Sequence, residues 1–257
     1  MEITALPDPV RAHLDGYRVE GGNRKTSSSA DVFCLVHPTR ADLFLKTLIY
    51  PLPPVVEADL LAEKTAMDWL HNRLAVPRVV CYHQEKDREY LLVTGIDGVA
   101  GHRPENRRDP AATVHAFAVG LRAVHAVDPT GCPLDWRLER FFAWAEDLIG
   151  RSPAAASSAA QRAELKALRQ AAPAEDLVFV HGDYCLPNVL LEDGRLSGFI
   201  DWGFAGLGDR YLDFAAADGT IRRNLGDEWV EPFFAEYGQK PDPDRLAYFK
   251  RVLDFSG

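Results

Sequence analysis

Three polar residues are spaced in a way that suits metal and phosphate chemistry. Asp183 follows the apolar segment Leu177–Val180, Asn188 stands five residues later, and Asp201 follows a second apolar segment. Their carboxylate and amide oxygens are the hard ligands that Mg²⁺ prefers, and this ion keeps waters and substrate phosphates in its remaining positions. Turns also favour Asp, Asn and Gly for backbone reasons. Turn formation alone does not explain why two apolar segments end in this ordered set.

The same Asp-x4-Asn spacing occurs in the catalytic loop of protein kinases. There the Asp accepts the proton of the attacking hydroxyl, and the Asn and a later Asp hold metal ions. Protein kinases also pair a strand lysine with a helix glutamate. Lys46 interrupts an apolar strand here, and Glu63 lies on the next predicted helix. The alternative is that Lys46 lies on an edge strand, where a lysine limits aggregation. Glu57 and Asp59 are alternative partners for Lys46.

Hydrophobic periodicity predicts a sheet with one helix, followed by a mainly helical half. Strands are expected near residues 17–20, 31–36, 42–49, 78–83 and 90–94, with a helix near 55–72. After a break near residues 95–99, helices are expected near 111–127, 137–149, 161–170, 209–224, 227–237 and 242–254, with short strands near 177–180 and 196–200. Residues 154–160 suit a helix or a mobile link equally. The predicted fold class is α+β with two lobes, and clefts between lobes are favoured ligand sites.

Composition excludes several classes of function. The chain of 257 residues has 38 acidic and 29 basic residues, and its net charge of -9 argues against nucleic-acid or membrane-surface partners. The four cysteines form no metal-type pair and no disulfide scaffold, so they are expected to be reduced. The acidic N-terminus lacks the basic start and apolar core of a secretory signal, so a cytoplasmic location is expected.

The motifs resemble those of the aminoglycoside phosphotransferase (antibiotic kinase) family. The similarity rests on His181-Gly-Asp183, on Asn188 and on Ile200-Asp-x-Gly203. Further similarity to the 3'-phosphotransferase branch covers residues 132–138, 177–191, 198–213 and 246–254, with gaps at 20–30 and 143–160. The resemblance implies a protein-kinase-like fold with a five-stranded antiparallel sheet and one helix in an N-lobe (1–95) and a mainly helical C-lobe (96–257). It also implies transfer of the γ-phosphate of ATP to a sugar hydroxyl.

Each residue that matches a family motif has an implied role. Asp183 would be the catalytic base, and Asn188 and Asp201 would bind Mg²⁺. Lys46 would contact the α and β phosphates of ATP, and Glu63 would pair with Lys46.

Two further nucleotide contacts are implied by the same resemblance. Ser28, in a run of three serines, would belong to a flap over the phosphates, and a flexible hairpin loop is the alternative. Thr94 and Ile96 would flank a hinge whose backbone pairs with adenine, and a plain β-turn is the alternative.

The acceptor is expected to be a small molecule, most simply a cationic aminoglycoside. Residues 99–257 hold 24 acidic and 18 basic residues, so the acidity leans toward the half that would hold the acceptor. Candidate contacts are Glu139, Glu146, Asp147 and Asp254, and a solvated helix face is the alternative for each.

Departures from the branch concern the acceptor side. Phe204 stands where the branch has an arginine, Gly219 and Thr220 replace an Arg-Asp pair, and the tail lacks the usual acidic-aromatic end. We therefore expect a narrower range of aminoglycosides than is usual for the branch. A kinase of the same fold acting on another alcohol, such as a macrolide, choline-like or sugar metabolite, is one alternative. A nucleotide-binding pseudokinase is another, although the phosphoryl-transfer residues are intact.

Overall fold

A five-stranded antiparallel sheet forms most of the first part of the protein. The computed structural model describes residues 1–25, 30–50, 60–151 and 155–254. The strands are β1 (Arg18–Lys25), β2 (Asp31–Val36), β3 (Leu43–Ile49), β4 (Val79–Gln84) and β5 (Arg88–Thr94), in the spatial order β1-β2-β3-β5-β4. Two helices contact this sheet, α1 (Asp8–Arg11) and α2 (Leu60–Leu70). The expected sheet with one helix is therefore present, with the short α1 in addition.

Lys46 lies on a central strand and not on a sheet edge. Its neighbours across the ladders are Val32 on β2 and Leu91 on β5. Side chains alternate between the two faces of a strand. Leu45 accordingly packs in a small apolar cluster with α1, and Leu48 belongs to the main core. The alternative of an aggregation-preventing edge lysine is therefore excluded.

The second part is mainly helical, with two small sheets. Its helices are α3 (Pro110–His125), α4 (Leu138–Arg151), α5 (Ala155–Gln170), α6 (Arg210–Asn224), α7 (Val230–Tyr237) and α8 (Pro243–Leu253). The strands are β6 (Val99–Ala100), β7 (Leu177–Val180), β8 (Val189–Glu192), β9 (Arg195–Phe199) and β10 (Gly206–Asp209). They form one sheet of order β6-β8-β9 and an antiparallel β7–β10 pair. None of the helices in the described ranges is both long and apolar enough to cross a membrane.

Local capping signals fix where several of these helices begin. Asp109 precedes a proline and accepts a hydrogen bond from the backbone N–H of Ala112 at 3.0 Å, which starts α3. Asp209 accepts one from Tyr211 at 2.9 Å and starts α6 in the same way. Such caps satisfy backbone donors that the first helical turn leaves unpaired. The predicted start of α6, at residue 209, therefore differs from the observed start by one residue, the cap residue Asp209.

The candidate catalytic loop, residues 181–188 between β7 and β8, is supported by α3. Tyr184 is fully buried, stacks on Phe117 with ring centroids 4.6 Å apart, and donates a hydrogen bond to the Phe117 carbonyl at 2.7 Å. This close approach requires a glycine on α3, because a Cβ at Gly120 would lie 2.5 Å from the Tyr184 hydroxyl. Packing of α3 therefore sets the position of the residue directly after Asp183.

The change Gly120→Ala tests this support. We expect a loss of about 1–3 kcal/mol in the free energy of unfolding, because the extra methyl group overpacks a closed core. Gly150→Ala is the matched control, since it also lies in a helix but its Cβ would meet nothing within 4 Å. There the gain in helix propensity is expected to raise stability by about 0.5–1 kcal/mol. Denaturant titration of both variants measures the change in the free energy of unfolding. Equal changes in the two variants would contradict the packing argument.

Candidate active site

An ion triad joins the first sheet to the second part of the protein. The Lys46 ammonium lies 2.6 and 2.9 Å from the two carboxylate oxygens of Glu63 on α2, and 2.9 Å from Asp201. Glu63 is therefore the partner that the sequence favoured, while Glu57 and Asp59 lie outside the described residues. The triad brings together groups from β3, α2 and the loop that follows β9.

Charge neutralisation explains how Lys46 and Asp201 remain ionised. Burial lowers the pKa of Lys46, but the Asp201 and Glu63 carboxylates outweigh it and the net pKa is raised. The Lys46 ammonium in turn holds the pKa of Asp201 below its ordinary value. A buried strand lysine is costly unless it meets an anion. The site thus keeps a permanent positive charge beside a permanent negative one.

Asp183 and Asn188 lie in contact within one loop. The Asn188 side-chain amide donates to the Asp183 carboxylate at 2.8 Å and to its backbone carbonyl at 3.0 Å. The turn is closed by the Asn188 N–H, which donates to the Cys185 carbonyl at 2.9 Å. Burial raises the pKa of Asp183, the Asp201 carboxylate adds to this, and His181 opposes it. A raised pKa makes the carboxylate a better proton acceptor than an exposed aspartate.

The backbone of Ile200 ties the two functional loops together. Its N–H donates to the Asn188 carbonyl at 3.0 Å, and its carbonyl lies 3.1 Å from His181 Nε2. The His181 ring also packs on Trp202, with centroids 4.4 Å apart. Asp201 itself has a φ of 69°, in the left-handed region that costs energy for a non-glycine residue. These contacts on both sides of Asp201 hold it in that conformation.

A buried carboxylate on α6 anchors the start of the catalytic loop. Asp213 is completely buried and accepts hydrogen bonds from the backbone N–H groups of His181 and Gly182, both at 2.8 Å. His125 Nε2, at the end of α3, lies 3.1 Å from the same carboxylate, and its Nδ1 lies 2.9 Å from the Tyr237 hydroxyl. The His125 side chain is therefore a buried, hydrogen-bonded part of the core.

A cleft of about 1250 Å³ lies beside the ion triad and the loop that carries Asp183 and Asn188. The cleft is lined by five of the residues that the sequence singled out: Lys46, Glu63, Asp183, Asn188 and Asp201. Its walls also include several apolar side chains from both parts of the chain: Val32, Phe44, Val93, Ile96, Leu190 and Ile200.

The predicted hinge residues lie at the wall of this cleft. Thr94 and Ile96 both line it. The Thr94 hydroxyl accepts a hydrogen bond from the Arg78 N–H at 3.0 Å, and the Gly95 N–H donates to the Asp42 carbonyl at 2.9 Å. These bonds fix the segment, whereas the Ile96 N–H has no partner among the described residues. Ser28 lies outside the described residues.

The carboxylates proposed as acceptor contacts are not among the residues that line the cleft. Glu146 is exposed and pairs with Arg169 at 2.7 Å, and Glu139 lies 3.7 Å from the same arginine. Asp147 is exposed on α4, and Asp254 is exposed at the end of α8. Glu139 and Glu146 serve instead to join α4 to α5. The structure therefore does not bring these carboxylates to the cleft. Their assignment relied on net charge and not on helix orientation.

Three other residues at the cleft wall were missed by sequence reasoning. Phe44 lies two residues before Lys46, and the two-residue alternation of side chains along a strand could have placed it on the same face as Lys46. Arg223 and Asn224 lie at the end of α6. Their position depends on how α6 packs beside the catalytic loop, which no local pattern reveals.

Comparisons with known proteins agree with this geometry. The model of the phosphotransferase enzyme family matches residues 25–249. The chain is 33% identical to an aminoglycoside 3'-phosphotransferase of Niallia circulans over 79% of this chain and 81% of the relative. It is also 31% identical to a streptomycin 3''-kinase of Streptomyces griseus, with 77% and 80% covered.

Two solved structures with a similar fold are also aminoglycoside phosphotransferases. A type VIII aminoglycoside 3'-phosphotransferase superposes with a TM-score of 0.79 at 25% identity, covering 97% of this chain and 98% of the other. An aminoglycoside phosphotransferase from Streptomyces rimosus, in complex with ADP and streptomycin, gives 0.74 at 26% identity, with 100% and 99% covered.

The change Asp213→Ala tests the anchoring of the catalytic loop. It leaves the buried N–H groups of His181 and Gly182 without an acceptor, at a cost of roughly 1–3 kcal/mol each. We therefore expect a loss of at least about 2 kcal/mol in the free energy of unfolding, measured in denaturant. Asp68→Ala, which removes an exposed pair with Lys64, is the control and is expected to change stability by less than about 1 kcal/mol. Similar losses in both variants would contradict the anchoring.

Proposed function

The chain belongs to the phosphotransferase enzyme family, and from this premise we propose that it transfers the γ-phosphate of ATP to a hydroxyl of an aminoglycoside antibiotic and so confers resistance. A 3'-type reaction fits best, because several curated relatives at 31–33% identity carry that activity. The observation that carries the proposal is the convergence of Lys46, Asp183, Asn188 and Asp201 in one cleft.

Both the family and the fold expected from the sequence are confirmed. The family model matches most of the chain, and relatives and solved structures include aminoglycoside 3'-phosphotransferases. The first part of the chain has the predicted five-stranded antiparallel sheet. A division into an N-lobe (1–95) and a C-lobe (96–257) is part of the proposal. In it, the cleft lies at the junction of the two lobes.

Nucleotide binding is proposed for the part of the cleft next to the hinge. The apolar walls suit the two faces of a purine, and Val32 on β2 and Ile200 come from different parts of the chain. The Ile96 N–H is available as a donor to the base edge. Lys46 also lines the cleft, and there it would contact the α and β phosphates while Glu63 holds its position.

The donor set fits Mg²⁺. Asn188 offers an amide and Asp201 a carboxylate, and Mg²⁺ is usually held by one or two protein oxygens together with waters and phosphates. The described residues contain no group of three or more His, Cys, Asp or Glu side chains that could hold a metal alone, which matches this shared mode of coordination. When bound, Mg²⁺ offsets the negative charge of the phosphates.

In the proposed reaction this chain mainly positions groups. Asp183 accepts a hydrogen bond from the acceptor hydroxyl and takes its proton, while Asn188 fixes the Asp183 carboxylate through its amide. The hydroxyl oxygen forms the new bond to phosphorus as the bond to the ADP oxygen breaks. Lys46 offsets charge on the phosphate oxygens. The resistance phenotype follows if the phosphorylated drug loses its target.

Two alternatives differ from this proposal in what they predict. A kinase of the same fold for a non-aminoglycoside alcohol would turn over ATP only with another acceptor. A pseudokinase would bind nucleotide without turnover. The intact set of Lys46, Asp183, Asn188 and Asp201 favours an active enzyme.

An acceptor panel with labelled ATP tests the function. We expect turnover with at least one of kanamycin, neomycin, streptomycin and hygromycin, and a narrower range than a typical 3'-phosphotransferase. Asp183→Ala is expected to lower kcat roughly 10²–10⁴-fold, because it removes the base, while ADP affinity is retained. Absence of turnover on all four antibiotics would favour another alcohol as acceptor, and wild-type turnover by Asp183→Ala would refute its assignment as the base.

The change Asp201→Ala tests the metal role by binding alone. We expect the Mg²⁺-dependent affinity for a non-hydrolysable ATP analogue to fall at least about 10-fold, because a charged contact is lost. Calorimetry with and without Mg²⁺ measures this. Asp193→Ala is the control, since Asp193 also has a positive φ but lies in the exposed turn between β8 and β9. An unchanged Mg²⁺ dependence in Asp201→Ala would exclude the role.

A further inference from the structure

The α6 side of the cleft carries an arginine. Arg223 and Asn224, in the last turn of α6, line the cleft together with Thr220 and Asp183. Arg223 is exposed and forms no ion pair with any described residue. Arg222, its neighbour, is by contrast paired with Asp218 at 2.9 Å and with Asp227 at 3.2 Å. The Arg223 charge is thus uncompensated at the site where an acceptor must approach Asp183.

The residues around Arg223 explain how its guanidinium lies against α6. Gly219 is one turn earlier, and a Cβ there would lie 3.3 Å from Arg223 Nη1. A larger side chain at this position would therefore have to push the guanidinium away from the helix. Thr220 is almost fully buried, and its hydroxyl accepts hydrogen bonds from the Leu186 N–H at 3.3 Å and from the Asn224 amide at 3.2 Å. Gly219 and Thr220 thus accommodate the arginine and connect α6 to the catalytic loop.

Carboxylates from α6 do not balance this charge. Asp218 is buried and engaged by Arg222 and by Lys250, the latter at 2.7 Å. Asp213 accepts hydrogen bonds from the catalytic-loop backbone. Among the described residues, the carboxylates that line the cleft are Glu63, Asp183 and Asp201, and none of them is on a helix from α3 to α8. A second arginine, Arg103, also lines it from the segment after β6.

We propose that Arg223 is a specificity-determining residue that selects against acceptors with an ammonium group on the α6 side of Asp183. The Arg223 guanidinium repels an ammonium group of the acceptor, and because Arg223 is exposed to solvent the effect is modest. The preferred acceptor presents neutral hydroxyl groups to α6 and carries its amino groups elsewhere. This inference rests on the proposed function, because it concerns the acceptor of that same site.

The change Arg223→Glu tests the inference with kanamycin, a polycationic acceptor. The reversal replaces a repulsion by an attraction, so KM for kanamycin is expected to fall roughly 2- to 30-fold. KM for ATP is expected to stay the same, and the difference in kanamycin KM should shrink as salt is raised from about 0.02 M to about 0.5 M. Arg162→Glu is the matched control, because it changes the net charge equally on an exposed face of α5 that does not line the cleft. Thermal melting of both variants verifies that they fold.

Binding calorimetry separates this inference from the proposed function. Kanamycin is titrated into the wild-type protein and both variants in the presence of ADP and Mg²⁺. Tighter binding to Arg223→Glu alone supports the role of Arg223, even if no aminoglycoside is phosphorylated and the proposed function fails. An unchanged or weaker affinity in Arg223→Glu overturns the inference, even if the wild-type enzyme phosphorylates kanamycin. An equal gain in Arg162→Glu also overturns it, because the effect would then be one of net charge.

Discussion

The contact of Lys46 with both Glu63 and Asp201 is the interaction on which the geometry of the cleft depends. It joins a central strand, a helix and the loop after β9, and its members are 17 and 155 residues from Lys46 along the chain. Burying three charges is costly, and removing one partner would leave an uncompensated charge. Mg²⁺ and phosphates would bring further charges of both signs next to Lys46.

The second constraint is that the catalytic loop has little freedom of its own. Asp213 holds the N–H groups at its start, and Tyr184 is fixed on α3. The N–H of Ile200, the residue directly before Asp201, donates to the Asn188 carbonyl. Gly182, with a φ of 81°, approaches the Phe204 backbone so closely that a Cβ would lie 2.1 Å from its carbonyl oxygen. Such preorganisation suits a reaction in which the protein mainly positions groups. Phe204 thereby acquires a backbone role that its side-chain type does not reveal.

Sequence reasoning was most successful where one local rule determines the outcome. Hydrophobic periodicity gave most element positions to within a few residues, and the ordered set from Lys46 to Asp201 gave residues that meet in the cleft. Sequence reasoning missed β8 and β10. Each of these strands is only four residues long and is defined by its pairing with another strand. It also could not choose between helix and link for residues 154–160, because a run of alanine and serine lacks the amphipathic pattern that tertiary packing requires. In the structure, α5 begins at Ala155.

The acceptor side shows why net charge is a poor guide to a binding surface. The excess of acidic residues in the second half suggested carboxylates around a polyamine, yet many of those carboxylates join one helix to another. Glu146 pairs with Arg169, and Glu164 pairs with Arg251 at 2.6 Å. Summed charge acts over long range and is screened within about 10 Å at moderate salt, whereas recognition depends on the few groups that face the ligand. On the α6 side those groups are an arginine, an amide and a hydroxyl, so a cationic acceptor would be attracted to the protein by one set of residues and selected by another.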